Sequence, residues 1–129
     1  MALEFLYRQP VVIRFGWGRI AELAAVLKEQ GADRCLVVCD RFFRGRAERL
    51  RQEIPVIAAV FSDVEENPQL SGVEGAVALI RENRVNAVVG MGGGSTMDTA
   101  KFAAAIAWRA AKPSTISGAQ GPSRRSGCP

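Results

Sequence analysis

The sequence predicts an α/β domain in which a parallel sheet is covered by helices. Three observations carry this. Residues 35–39, 56–61 and 87–91 are short, almost wholly apolar runs, the signature of strands buried on both faces. Between them, apolar residues recur at helical spacing. Gly31, Pro55, Asn67-Pro68 and Gly92-Gly93-Gly94 punctuate the joins. Strands that alternate with helices pair in parallel through right-handed crossovers. At 129 residues and 48% hydrophobic content, the chain has the size and composition of one globular domain.

The elements follow in order. Residues 11–15 are β-branched and precede Gly16-Trp17-Gly18, which reads as a strand and a tight turn. From Arg19, the residues Ile20, Leu23, Ala24 and Leu27 mark one helix face, and Gly31 stands at the C-cap position. The next strand, 35–39, ends at Asp40. A second helix is expected within residues 42–53 and a strand over 56–61. Leu70, Val73, Val77 and Ile80 form a helical stripe, with Ser71 and Glu74 at capping-box spacing. Strand 87–91 leads into a glycine turn and an alanine-rich helix from about Thr96 to Ala111. Residues 113–129 are rich in Pro, Gly and Ser and show no periodicity, so a disordered tail is expected at 111–129, after a domain over 1–110.

Composition narrows the chemistry. The chain has no histidine, which removes the commonest general base and excludes histidine-based triads and two-Cys, two-His zinc sites within it. The net charge is +4, but 13 acidic and 13 basic residues balance between Met1 and Lys101. The excess comes from Arg109, Lys112, Arg124 and Arg125, so the charge argues against a nucleic-acid-binding patch on the folded part. The arginines of residues 41–51 read as a solvated helix face. Cys35 and Cys39 lie about 13 Å apart along one strand, too far for a disulfide. No signal peptide or membrane-spanning run is visible, and a cytoplasmic location is expected.

The segment Gly90-Met-Gly-Gly-Gly-Ser-Thr-Met-Asp-Thr-Ala-Lys101 carries the chemistry. A buried strand delivers the chain to three glycines and a helix starts at once. Missing side chains let an anion approach the backbone, positive φ becomes accessible, and the helix N-terminus adds amides and a favourable dipole. This suits a pyrophosphate. The first-strand Gly-x-Gly-x-x-Gly fingerprint and the Walker pattern are both absent. Ser95 and Asp98 also read as a helix cap, with Ser at N-cap and Asp at N3.

Gly92-Gly93-Gly94-Ser95-x-x-Asp98-x-Ala100-Lys101 resembles the nucleotide-binding motif of the iron-containing (group III) alcohol dehydrogenases. Phe15-Gly16-x-Gly18, the strand ending at Asp40, and Phe61 followed by Asn67-Pro68 resemble the family's surrounding elements. The resemblance covers roughly residues 11–107. It implies a Rossmann-like parallel sheet with flanking helices, here incomplete. It implies that Gly92, Gly93, Gly94 and Ser95 bind the pyrophosphate of NAD, that Asp98 lies near the nicotinamide, and that Asp40 accepts from the adenosine ribose. A carboxylate at that position disfavours the 2′-phosphate of NADP. Ser95 with Asp98 fits the alcohol dehydrogenase branch better than the glycerol dehydrogenase or maleylacetate reductase branches.

The family's Fe2+ or other divalent metal is held by one aspartate and three histidines of a helical domain that this chain does not contain. The expectation is therefore the N-terminal part of an NAD-dependent, metal-dependent oxidoreductase acting on an alcohol or aldehyde, inactive alone. No catalytic residue and no metal ligand is assigned within the chain. A shifted or prematurely ended reading frame would explain the change of character after about Trp108. Association into a homo-oligomer is compatible with this reading. The alternative is a non-catalytic phosphate- or nucleotide-binding module, or a fragment that depends on a partner.

Overall fold

The computed structural model describes residues 11–64 and 70–111. The expected tail, Ala111 apart, and Cys128 lie outside them. Strands β1 (Cys35–Cys39), β2 (Ile57–Phe61) and β3 (Ala87–Met91) form a parallel sheet of order β2-β1-β3. Helices α1 (Leu23–Glu29), α2 (Arg44–Glu53), α3 (Leu70–Glu82) and α4 (Gly94–Ala111) flank it. The architecture is Rossmann-like, as the alternation of elements predicts.

The strand order explains the two cores. The connection from β1 to β2 moves one way along the sheet, and that from β2 to β3 moves back across β1. Right-handed crossovers then place their helices on opposite faces. On one face, Leu27 of α1 and Ala47 of α2 pack with Cys35, Val37, Cys39 and Ile57. On the other, Val73, Ala76, Val77 and Ile80 of α3 and Ala100, Ala103 and Ala107 of α4 pack with Leu36, Val38, Ala59 and Phe61. Every residue of β1 is fully buried, as a central strand requires. A register shift beside Cys35/Leu36 lets Ile57 and Ala59 face opposite cores.

Close approach is built from small residues. A Cβ at Gly75 would lie 2.9 Å from Phe61 Cε2, and one at Gly90 would lie 3.3 Å from Ala100 Cβ and 3.1 Å from Met97 Sδ. The alanines of α4 and Gly90 therefore let that helix sit low on β3. Trp108 lies within α4. It packs against the core, and its indole N–H donates to the Val85 carbonyl at 3.3 Å.

Helix ends are closed locally. The Gly31 and Ala32 amides donate to Lys28 O and Leu27 O at 3.1 and 2.9 Å, the glycine-terminated motif expected there. α3 ends in the same way, with Arg84 and Val85 donating to Arg81 O and Ile80 O. Here the left-handed position is occupied by an arginine at φ 52°. Left-handed backbone costs an L-residue roughly 1–2 kcal/mol, partly offset by the freedom glycine adds to the unfolded chain. Arg84→Gly is therefore expected to stabilise the protein by about 0.5–1 kcal/mol in urea denaturation. A loss of stability would show that the arginine side chain contributes more than its backbone costs.

Four sequence expectations are corrected. No strand forms over residues 11–15. None of the three described strands lies beside this segment, and a strand without a ladder partner leaves its side chains in solvent: Phe15 is 94% exposed. Its Arg14 instead pairs with Glu22 and Glu29 at 3.2 and 3.0 Å. The first helix begins as a 3₁₀ turn, Arg19–Glu22; Leu23 and Leu27 pack on the core as expected, but Ile20 and Ala24 are exposed. Ser71 lies within α3, not at its cap. α4 starts at Gly94, two residues earlier than expected. The arginines of 41–51 are exposed, as a solvated face requires.

Candidate functional site

With order β2-β1-β3, the connections on either side of β1 run in opposite directions along the sheet, and the crevice beyond the C-terminal ends of β1 and β3 is the topological switch point where open α/β sheets bind ligands. Asp40 directly follows β1 and Gly92-Gly93-Gly94 directly follow β3, so both candidate segments reach this crevice. The register aligns Cys39 with Met91, which places Asp40 and Gly92 as the next residues on adjacent strands.

Their proximity is direct. A Cβ built on Gly92 would stand 3.4 Å from Asp40 Oδ2. The other oxygen, Oδ1, accepts the Phe43 amide at 3.2 Å and caps the 3₁₀ turn Arg41–Phe43. That bond fixes the carboxylate, whose second oxygen faces the glycine turn. Arg41 follows, with Nε 4.0 Å from Asp63 Oδ1 at the end of the neighbouring β2. Both side chains are largely exposed, so this pair contributes little.

The three glycines are not equivalent. Only Gly92 has a positive φ, at 150°, so the sequence expectation of backbone freedom holds at one of the three. A Cβ there would also lie 2.7 Å from Thr96 Oγ1. Gly93 and Gly94 have no heavy atom within 4 Å of an added Cβ, and both are exposed. The fold requires Gly92; it leaves open space at Gly93 and Gly94. Open space where a side chain would be tolerated is the arrangement expected if another molecule approaches the backbone.

The capping reading of Ser95 and Asp98 is also corrected. Gly93 precedes the helix, Gly93 O accepts the Met97 amide at 3.0 Å, and Ser95 is the second helical residue. The Ser95 carbonyl accepts the Thr99 hydroxyl at 2.8 Å. Thr99 and Thr96 are both buried beneath the turn. Asp98 lies about one turn along α4 and is exposed. The first amides of α4 lack intrahelical acceptors by position, and the helix dipole adds positive potential there.

Two supporting features escaped the sequence reading. Thr96 reads as a variable position of the motif, yet it packs under Gly92. Asn86 ties the approaches to β1 and β3 together: its Oδ1 accepts the Asp33 and Arg34 amides at 3.0 and 3.1 Å, and its Nδ2 donates to Gly31 O at 3.3 Å. Asn86 leaves no local signature, because its partners are more than 50 residues away.

Among the described residues, other reactive groups do not form a competing centre. Burial pushes the Cys35 and Cys39 thiols up to about 11, with Asp40 and Glu48 adding to the effect at Cys39. Both are free, buried and protonated near neutrality, hence poor nucleophiles. Among the described residues no three His, Cys, Asp or Glu side chains gather to hold a metal, and no helix is long and apolar enough to cross a membrane. A groove of about 630 Å³ lies elsewhere, between residues 11–14 and α1.

Sheet order, switch point and glycine turn together define a Rossmann-like α/β unit. The family model for iron-containing alcohol dehydrogenase matches residues 10–128. Long-chain-alcohol dehydrogenase 1 of Geobacillus thermodenitrificans is 36% identical over 104 residues, covering 76% of this chain and 26% of that protein. NADH-dependent butanol dehydrogenase A of Clostridium acetobutylicum is 32% identical over 109 residues, covering 80% and 28%. Among solved structures, sulfoacetaldehyde reductase of Bifidobacterium kashiwanohense in complex with NAD+ superposes with a TM-score of 0.73 at 35% identity, covering 83% of this chain and 29% of that one. The chain belongs to the iron-containing alcohol dehydrogenase family. It spans between a quarter and a third of the length of these relatives.

Proposed function

We propose that this chain is the NAD-binding part of an iron-type alcohol dehydrogenase, with a domain boundary near residue 110. The observation that carries the reading is the juxtaposition at the switch point: a fixed carboxylate facing a glycine turn whose second and third glycines are open to solvent. Two relatives support the choice of dinucleotide, one named as NADH-dependent and one solved with NAD+.

The residues present fit that group. The backbone at Gly92, Gly93, Gly94 and Ser95, with the Ser95 hydroxyl, contacts the pyrophosphate at the start of α4. Asp40 Oδ2 accepts from the adenosine ribose hydroxyls while Oδ1 stays with the Phe43 amide. Asp98 lies toward the nicotinamide end. The bound nicotinamide supplies hydride exchange with an alcohol or aldehyde carbon. The described residues hold no donor set for the family's metal, so no step through a metal is assigned to them. Negligible alcohol-dependent reduction of NAD is expected from these 129 residues alone.

Isothermal titration of the chain with NADH and NADPH tests the proposal. NADH is expected to bind more tightly, because the Asp40 carboxylate repels a 2′-phosphate. Asp40→Ala is expected to weaken NADH by about a hundred-fold, two hydroxyl contacts to a charged acceptor being lost at about 1.5 kcal/mol each, and to narrow the preference over NADPH. Equal affinity of both cofactors for the unaltered chain, or no NADH binding, would overturn the reading.

A further inference from the structure

Phe42 stands out among the described residues because it is a large aromatic side chain, 86% exposed, at the rim of the candidate site. It is the middle residue of the 3₁₀ turn that Asp40 caps, so backbone and carboxylate together set its position. Its ring meets Phe43 in a T-shaped contact, with centroids 5.0 Å apart and planes at 89°. Phe43 is itself packed against the core around Cys39 and Ala47. The exposed ring is therefore held by a buried one, two residues beyond the carboxylate that faces the glycine turn.

From this placement we infer that Phe42 is the stacking platform for the adenine ring of the bound dinucleotide, an inference that rests on the proposed NAD site. The ribose that Asp40 accepts carries adenine on its adjacent carbon, so the base must lie within one sugar's reach of Asp40. An aromatic side chain is the surface that rewards a planar base there, since stacking needs only a π-face and no hydrogen-bond partner. Arg41 and Phe42 flank Asp40 in sequence, and Phe42 is the one that offers such a face. Nothing in the described fold covers its ring, as the exposure shows.

The experiment is titration of the unaltered chain, Phe42→Ala, Phe42→Leu and Phe42→Trp with NADH and with ADP-ribose, alongside thermal melts. Phe42→Ala and Phe42→Leu are expected to bind both ligands on the order of ten-fold more weakly, by the same factor for each. Phe42→Trp is expected to retain or improve binding, and all three melts should match the unaltered chain because the side chain is solvated. Unchanged binding by Phe42→Ala, with the unaltered chain binding normally, overturns this inference alone. Full binding by Phe42→Leu overturns the stacking role in favour of simple apolar contact. Failure of the unaltered chain to bind NADH overturns the parent reading and this inference with it.

Discussion

Gly94→Val is expected to reduce NADH affinity by at least about two orders of magnitude while leaving the melting temperature of the chain essentially unchanged. The two halves of this result come from different observations. Gly94 is the first residue of α4, its φ is not positive, and an added Cβ meets nothing within 4 Å. Replacing glycine by valine in a helix is mildly favourable by intrinsic propensity, a few tenths of a kcal/mol. Folding therefore has no reason to select glycine there. Binding does. Backbone amides reach a pyrophosphate oxygen only when donor and acceptor approach within about 3 Å, and branched methyl groups occupy that space. Losing two charge-assisted hydrogen bonds at about 1.5 kcal/mol each corresponds to the stated loss of affinity. Titration calorimetry and a thermal melt on the same sample separate the effects. A valine variant that melts normally and binds NADH as tightly as the unaltered chain would show that the turn is not the pyrophosphate site.

Gly92→Ala should behave in the opposite way, destabilising the fold by about 2–4 kcal/mol. At φ 150° the backbone is one that L-residues rarely adopt, and the new Cβ would lie 2.7 Å from Thr96 Oγ1 and 3.1 Å from Thr96 Cβ. Thr96 is 2% exposed, so it has little room to yield. The strained backbone and the overlap each cost roughly 1–3 kcal/mol, and partial relaxation keeps the sum below the maximum. Urea denaturation measures the loss. The double variant Gly92→Ala/Thr96→Ala isolates the overlap: it should recover part of the stability and leave the backbone cost in place. A Gly92→Ala variant within about 0.5 kcal/mol of the unaltered chain would refute the claim that the fold requires this glycine.

These contrasting results bear on how the motif is read. In sequence the three glycines are one feature. In the structure one is required by the fold and two are left open. No local pattern separates them, because the atoms that crowd Gly92 belong to Thr96, four residues on, and to Asp40, on another strand. Ser95 shows the same limit. Serine followed by aspartate three residues later is a sound capping pattern, but α4 begins at Gly94, and the pattern falls two residues too far along.

Elsewhere the sequence was easier to read. β1 and β3 occupy the expected residues because each is an apolar run bounded by polar or glycine residues. The expected burial on both faces holds for central β1 and not for β3, which is half-buried at the edge of the described sheet. α2 lies within its expected segment, the helical stripe of α3 is in place although its cap is not, and Gly31 ends α1 as capping chemistry predicts. Residues 11–15 misled for the complementary reason. β-branched composition makes a segment suitable for a ladder but does not provide the partner strand. Ile20 misled because it lies in a 3₁₀ turn, whose residues per turn differ from those of the α-helix that carries Leu23 and Leu27.

What the sequence determined by itself was thus local: which segments are strands and helices, that the strands are parallel, and that a glycine turn follows one of them. Periodicity, apolar runs and cap residues act over a few residues and can be read without the fold. Tertiary structure decided the strand order, the side of the sheet each helix takes, and the meeting of Asp40 with Gly92 across adjacent strands. Those depend on packing between residues some 50 positions apart, where the free energy comes from shared burial and close approach. The order β2-β1-β3 creates a switch point between two segments that the sequence names separately, and there the candidate site is assembled.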